Sequence, residues 1–271
     1  MKIGVFDSGL GGLTVVSSIE KIFKGAKLFY IADTEYAPYG EKTSEQILER
    51  CDLITTYLLE NHGIEALIVA CNTATSAAIS HLREKFPFLI VIGTEPGIKP
   101  AIINTKTLNV GVLATPRTLK GDKYQLLVNE LSAIKEIKLH EQACIGLVEQ
   151  IEKGDVDTKE TFNMLEKWLE PMKNSNVDTI VLGCTHYPLV ANVIKQIMGN
   201  GITLIETGDA IANRLKILSE EKGHINEGPL KIDVCHTGII NKHMIEKILN
   251  NKNIEVRKCT IWVKQIWKKE F

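Results

Sequence analysis

The stretch ALIVACNTATSAAISHLREKF, residues 66–86, decides the reading of the fold. ALIVACN (66–72) is apolar until its last residue, the pattern of a strand covered on both faces. TATSAAISHLREKF (73–86) follows at helical period. The same unit recurs on either side. KIGVF (2–6) leads through a glycine-rich turn into TVVSSIEKIF (14–23), and KLFYIAD (27–33) precedes SEQILERCDLITTYLLENHG (44–63). In that helix Ile47, Leu48, Cys51, Ile54, Thr55 and Leu58 mark one face. FLIVIG (88–93) is the next strand.

Around EPGIKPA (95–101) the pattern restarts. NVGVLAT (109–115) precedes a helix read over PRTLKGDKYQLLVNEL (116–131), with Pro116 at its first position. IKLHEQAC (137–144), DTIVLGC (178–184) and ITLIETG (202–208) are each followed by a helical segment. KIDVCHTG (231–238) and IEVRKC (254–259) flank another, and by pattern alone these late strands fit either sheet. Strands alternating with helices specify βαβ units and an α/β fold of mostly parallel sheets.

In such sheets ligands bind beyond the carboxyl ends of the strands. That rule selects Asp7-Ser8, Asp33, Cys71-Asn72-Thr73, Thr115 and Cys184-Thr185-His186. Two apolar runs end in the same way: VACNTA (69–74) and VLGCTHYP (181–188) both place a cysteine then a polar cluster. A single buried cysteine is ordinarily a small hydrophobe. Two at strand ends, each opening toward a helix N-terminus, are placed where a thiolate is favoured. His186, two positions from Cys184, reads either as a packed histidine or as an acid-base neighbour. FDSGLGG (6–12) lacks the later glycine of the dinucleotide fingerprint, because Thr14 stands there. It is a tight capped turn or a carboxylate-binding one.

Composition narrows the class. Of 271 residues, 44% are hydrophobic and 24% charged, with a net charge of −1, so bulk charge selects neither nucleic acid nor an anionic surface. The N-terminal apolar run breaks at Asp7, too early for a signal peptide, and no window spans a bilayer. A cytoplasmic protein is expected, with no membrane or nucleic-acid partner. Its six cysteines, Cys51, Cys71, Cys144, Cys184, Cys235 and Cys259, are expected as free thiols, all but Cys71 and Cys184 structural. No zinc spacing occurs among them. Asp33 and Glu149 read as a turn residue and a solvated helix carboxylate. Trp262 and Trp267 read as packing or interface residues.

FDSGLGGLTV (6–15), YIADTEYAPYG (30–40), VACNTAT (69–75), VLATPRT (112–118) and VLGCTHYPL (181–189), in this order, resemble the glutamate racemase family, the cofactor-independent amino-acid racemases. The resemblance implies two similar α/β domains, each a mostly parallel sheet flanked by helices, with the active site in the cleft between them. The boundaries expected are 1–95 plus 209–271 for the first domain and 96–208 for the second. It implies interconversion of L- and D-glutamate for peptidoglycan synthesis, with Cys71 and Cys184 as acid-base catalysts assisted by Asp7 and His186. Substrate binding is implied for Asp7, Ser8, Tyr39, Gly40, Asn72, Thr73, Thr115, Thr118, Glu149, Thr185 and His186. No pyridoxal phosphate, no metal and a homodimer are implied as well. With the first strand read at 2–6, activation by a cell-wall precursor through an N-terminal extension, as in some relatives, is not expected, and residues 260–271 carry no motif.

Two other readings compete. Aspartate racemases typically carry glutamate after GCT, where His186 stands here. A non-catalytic two-domain binding protein would need neither thiol. A phosphatase reading fails because Gly9 occupies the position of its second aspartate.

Overall fold

The computed structural model describes residues 1–132, 136–250 and 254–261. The first run of elements is β1 (Lys2–Asp7), α1 (Leu13–Ile22), β2 (Ala26–Ala32), α2 (Ser44–His62), β3 (Ala66–Val69), α3 (Asn72–Lys85) and β4 (Ile90–Gly93). The second is α4 (Ile98–Asn104), β5 (Asn109–Ala114), α5 (Pro116–Lys120), α6 (Asp122–Ser132), β6 (Lys138–Ala143), α7 (Leu147–Lys153), α8 (Lys159–Asn174), β7 (Thr179–Gly183), α9 (Ala191–Met198) and β8 (Thr203–Ile205). The remainder is α10 (Gly208–Glu221), β9 (Leu230–His236), α11 (Lys242–Ile248) and β10 (Val256–Lys258).

Among the described residues two sheets form, and every strand pairing in them is parallel. The larger has the order β10-β9-β2-β1-β3-β4 and the smaller β6-β5-β7-β8. The late strands, which fit either sheet by pattern, lie in the larger: β9 pairs with β2, and β10 with β9.

The alternation of side chains along the strands explains why they are apolar throughout. On β1, Ile3 and Val5 enter one apolar cluster and Phe6 another. On β2, Leu28 and Tyr30 face the first cluster while Phe29 and Ile31 face the second. Helices α2 and α3 cover the second face, through Ile47, Cys51, Ile54, Leu58, Ala78 and Leu82. The first cluster continues from α1 into Leu113, Leu147, Leu182 and Tyr187 of the other half, so the two sheets share one core.

Three local features depart from the sequence reading. The helix read over 116–131 is two helices, α5 and α6, because the chain breaks at Gly121, where any side chain would collide with Ser76. Cys184 does not open into an α-helix but into a 3₁₀ turn, Tyr187–Val190, ahead of α9. Cys235 and Cys259, expected as free thiols, are joined by a disulfide. The parallel pairing of β10 on β9 brings their Cα atoms to 5.8 Å, within bridging range, and spacing along the sequence gives no sign of this. Trp262 and Trp267 lie outside the described residues.

Helix α2 is anchored by a reciprocal capping box. Thr43 Oγ1 accepts the Gln46 N–H (3.2 Å), and the Gln46 side chain accepts the Thr43 N–H (2.9 Å). We expect Thr43→Ala to cost about 1 kcal/mol in urea unfolding, seen as a lower midpoint at an unchanged slope.

Candidate active site

The carboxyl ends of β1, β3, β5, β6 and β7 converge on a cavity of about 100 Å³ between the two sheets. Cys71 and Cys184 both line it, buried at 6% and 7% exposure. Ser8, Tyr39, Gly40, Asn72, Thr73, Thr115, Glu149, Thr185 and His186 line it too. So does Cys144, which the sequence reading treated as structural only. Two of the expected residues stand behind the lining. Asp7 is fully buried under it, and Thr118 reaches it through Thr115, whose hydroxyl is 2.9 Å away. Thr115 in turn meets Thr73 at 3.1 Å, tying α3 to the smaller sheet.

Cys71 sits at the N-cap of α3, and its Sγ is 3.9 Å from Ser8 Oγ. Burial pushes its thiol up, and the neighbouring Asp7 carboxylate adds to that. The Ala74 N–H and the Ser8 hydroxyl pull the other way but do not prevail. Asn72, beside it, is 5% exposed, and neither its Oδ1 nor its Nδ2 makes a hydrogen bond among the described residues. Buried amides are ordinarily paired, so two unspent groups on the wall of a cavity mark a place for a polar ligand.

Cys184 has a different neighbour. His186 Nδ1 lies 3.7 Å from its Sγ, and His186 Nε2 lies 2.6 Å from Glu152 Oε1. Burial opposes charge on the imidazole. The hydrogen bonds to Cys184 and Glu152 outweigh it and raise His186 well above the ordinary histidine range. The ring bridges Cys184 and Glu152, and both contacts favour its protonated form.

Glu152 escaped the sequence reading, which proposed Glu149 from the same helix. Glu149 lines the cavity, whereas Glu152, one turn on in α7, reaches back to the turn after β1. There the Leu10 N–H donates to Glu152 Oε1 at 2.6 Å. The glycines of FDSGLGG make this approach possible: a side chain at Gly9 would overlap the Glu152 carboxylate, and one at Gly11 the His186 ring. The turn does bind a carboxylate through its backbone, and the carboxylate is the protein's own. The sequence signal was the glycine pair itself, which required some group to come close.

The same turn fixes Asp7. Gly12 N–H donates to Asp7 Oδ2 (2.8 Å), and Thr185 Oγ1 donates to it across the sheets (3.3 Å). Burial raises the Asp7 carboxyl above its usual range, against the pull of His186 and the Gly12 N–H. Asp33, read as a turn residue, does open a turn, its C=O accepting the Tyr36 N–H (3.2 Å), and its carboxylate is in addition a buried ion-pair partner of Arg50. Among the described residues no group of three or more His, Cys, Asp or Glu side chains is arranged to hold a metal ion, and no helix is long and apolar enough to cross a membrane.

Because the folded-state value of His186 is raised, its titration stabilises the protein fully below the unfolded value, about 6.5, and that stabilisation is lost as pH rises through the folded value. The gap in urea stability between wild type and His186→Asn should be widest near pH ~6 and narrow as the solution is made alkaline. A gap that widens with pH would contradict the charged imidazole.

Residues 3–215 match the family model described as Asp/Glu/Hydantoin racemase. A glutamate racemase of Aliarcobacter butzleri is 71% identical over 261 residues, covering 96% of this chain and 100% of that protein. Among solved structures, glutamate racemase isoform RacE1 of Bacillus anthracis superposes with a TM-score of 0.85 at 33% identity, over 97% of this chain and 98% of that one. The Escherichia coli glutamate racemase, solved with L-glutamate and the activator UDP-MurNAc-Ala, superposes with a TM-score of 0.82 at 30% identity, over 95% and 97% of the two chains.

Proposed function

We propose that this chain, which belongs to the Asp/Glu/Hydantoin racemase family and racemises glutamate, does so with one thiol on each face of the substrate α-carbon. The observation that carries the mechanism is the presence of Cys71 and Cys184 on one small cavity with different acid-base neighbours. One sulfur, as thiolate, takes the α-hydrogen as a proton, and the C–H electron pair stays on carbon as a carbanion conjugated with the carboxylate. The other sulfur, as thiol, gives its proton to the opposite face. The two thiols have then exchanged protonation states, and the enzyme is set for the reverse direction.

A bare α-carbanion is costly, so the site must supply charge stabilisation without water. The unspent Asn72 amide and the hydroxyls of Ser8, Thr73 and Thr185 suit the substrate carboxylates and ammonium. Asp7, beneath the lining, acts on Cys71; His186, in the wall, stands beside Cys184; and Glu152 holds His186 in place and favours its protonated form. The chemistry assigned to the thiols calls for neither pyridoxal phosphate nor a metal.

On the same reading the chain divides into domains 1–95 plus 209–271 and 96–208. The packing of α10 against α1 and β4 supports a boundary at the start of α10. The product D-glutamate would feed peptidoglycan synthesis in the cytoplasm, and the active form would be a homodimer.

The test follows optical rotation of D-glutamate in deuterated water without added pyridoxal phosphate. Rotation should decay to zero, and Cys71→Ser and Cys184→Ser should each lower the rate by roughly 10²–10⁴-fold, the usual worth of an acid-base group. Aspartate serves as the control substrate. Full activity in either variant would contradict the two-thiol assignment.

A further inference from the structure

We propose that Arg50 and Asp33 are positioning residues that hold the Tyr39–Gly40 segment against the cleft, and that they set the affinity for substrate without touching it. The inference rests on the reading of the cavity as the glutamate site. Tyr39 and Gly40 line that cavity, on the chain between β2 and α2. The only helical structure in that connection is a 3₁₀ turn, Tyr39–Glu41, so side-chain anchors must place it.

The anchor is Asp33, which is fully buried and accepts four hydrogen bonds. Tyr39 Oη donates to Oδ2 at 2.7 Å, and Arg50 Nε donates to the same oxygen at 2.8 Å. Arg50 Nη2 donates to Oδ1 at 2.5 Å, and Thr237 Oγ1 donates to it at 3.1 Å. One carboxylate thereby ties the 3₁₀ turn to α2 and to the end of β9. The Arg50 guanidinium also lies 5.4 Å over the Tyr36 ring, which stands edge-on to Tyr39 at 6.0 Å.

The chemistry calls for arginine. Its planar fork bonds both carboxylate oxygens and leaves a face for stacking, which an ammonium does not. Without it, Asp33 is a buried charge lacking its cation, and the group that orders Tyr39 is itself displaced. Arg50 keeps 14% of its side chain exposed, so a small cation from solvent can reach the gap its removal leaves.

The full-length protein is titrated calorimetrically with an equilibrated D,L-glutamate mixture, which undergoes no net turnover. Wild type, Arg50→Ala, Arg50→Lys and Tyr39→Phe are compared, with circular dichroism checking the fold of each. We expect Arg50→Ala to bind about tenfold more weakly or worse, as for loss of a charged hydrogen-bonded partner, and Arg50→Lys to be intermediate. Guanidinium added at non-denaturing concentration should restore Arg50→Ala, a result that a merely structural role would not give. Tyr39→Phe, which keeps the ion pair and the fold, should also weaken binding. Arg50→Ala binding within about twofold of wild type, or a loss that guanidinium does not restore, would overturn the positioning role. Absence of glutamate binding by the wild type itself would overturn the reading of the cavity, and this inference with it.

Discussion

The site depends on one close approach, that of the α7 carboxylate Glu152 to the glycine turn after β1. The turn spends a backbone N–H on Glu152, and Glu152 spends its oxygen on His186. Gly9 and Gly11 leave the space in which this happens. Because β1 is central in the larger sheet and α7 belongs to the other half, the contact joins the two halves beside the cavity that Cys71 and Cys184 both line. The Thr185–Asp7 and Thr73–Thr115 contacts support it nearby.

The surroundings of the two sulfurs differ in a way the proposed chemistry uses. Cys71 is buried near an aspartate, and both effects favour its protonated form. Cys184 stands beside His186, which Glu152 holds and whose protonated form these contacts favour. Inversion requires a proton acceptor on one face and a donor on the other at the same moment. A symmetrical environment would have to break its symmetry before each turnover, whereas here a difference is built in. The unspent Asn72 amide lies next to Cys71, ready for a polar ligand.

The sequence carried the parallel α/β architecture because both-face burial leaves strands continuously apolar, as Ile3, Val5 and Phe6 show. It carried Cys71, Cys184 and His186 because strand ends are where such folds bind ligands. Other features depend on distant partners that local patterns do not encode. Glu152 looks like any helix carboxylate until α7 meets the glycine turn. Asp33 opens the turn its sequence suggests, but its second partner, Arg50, stands seventeen positions on. The Cys235–Cys259 bridge needs β9 and β10 to pair. At Gly121 the backbone is extended between α5 and α6, and a side chain there would meet Ser76 on α3, a partner that local pattern does not name.

The most direct measurement of the central claim is the isotope content at the α-carbon early in the conversion of L-glutamate in deuterated water. With one thiol per face, the D-glutamate formed carries deuterium, because its hydrogen comes from a sulfur already equilibrated with solvent. The recovered L-glutamate still carries protium. A single base serving both faces would instead return protium to the product, or would label substrate and product alike, and either pattern would contradict the account.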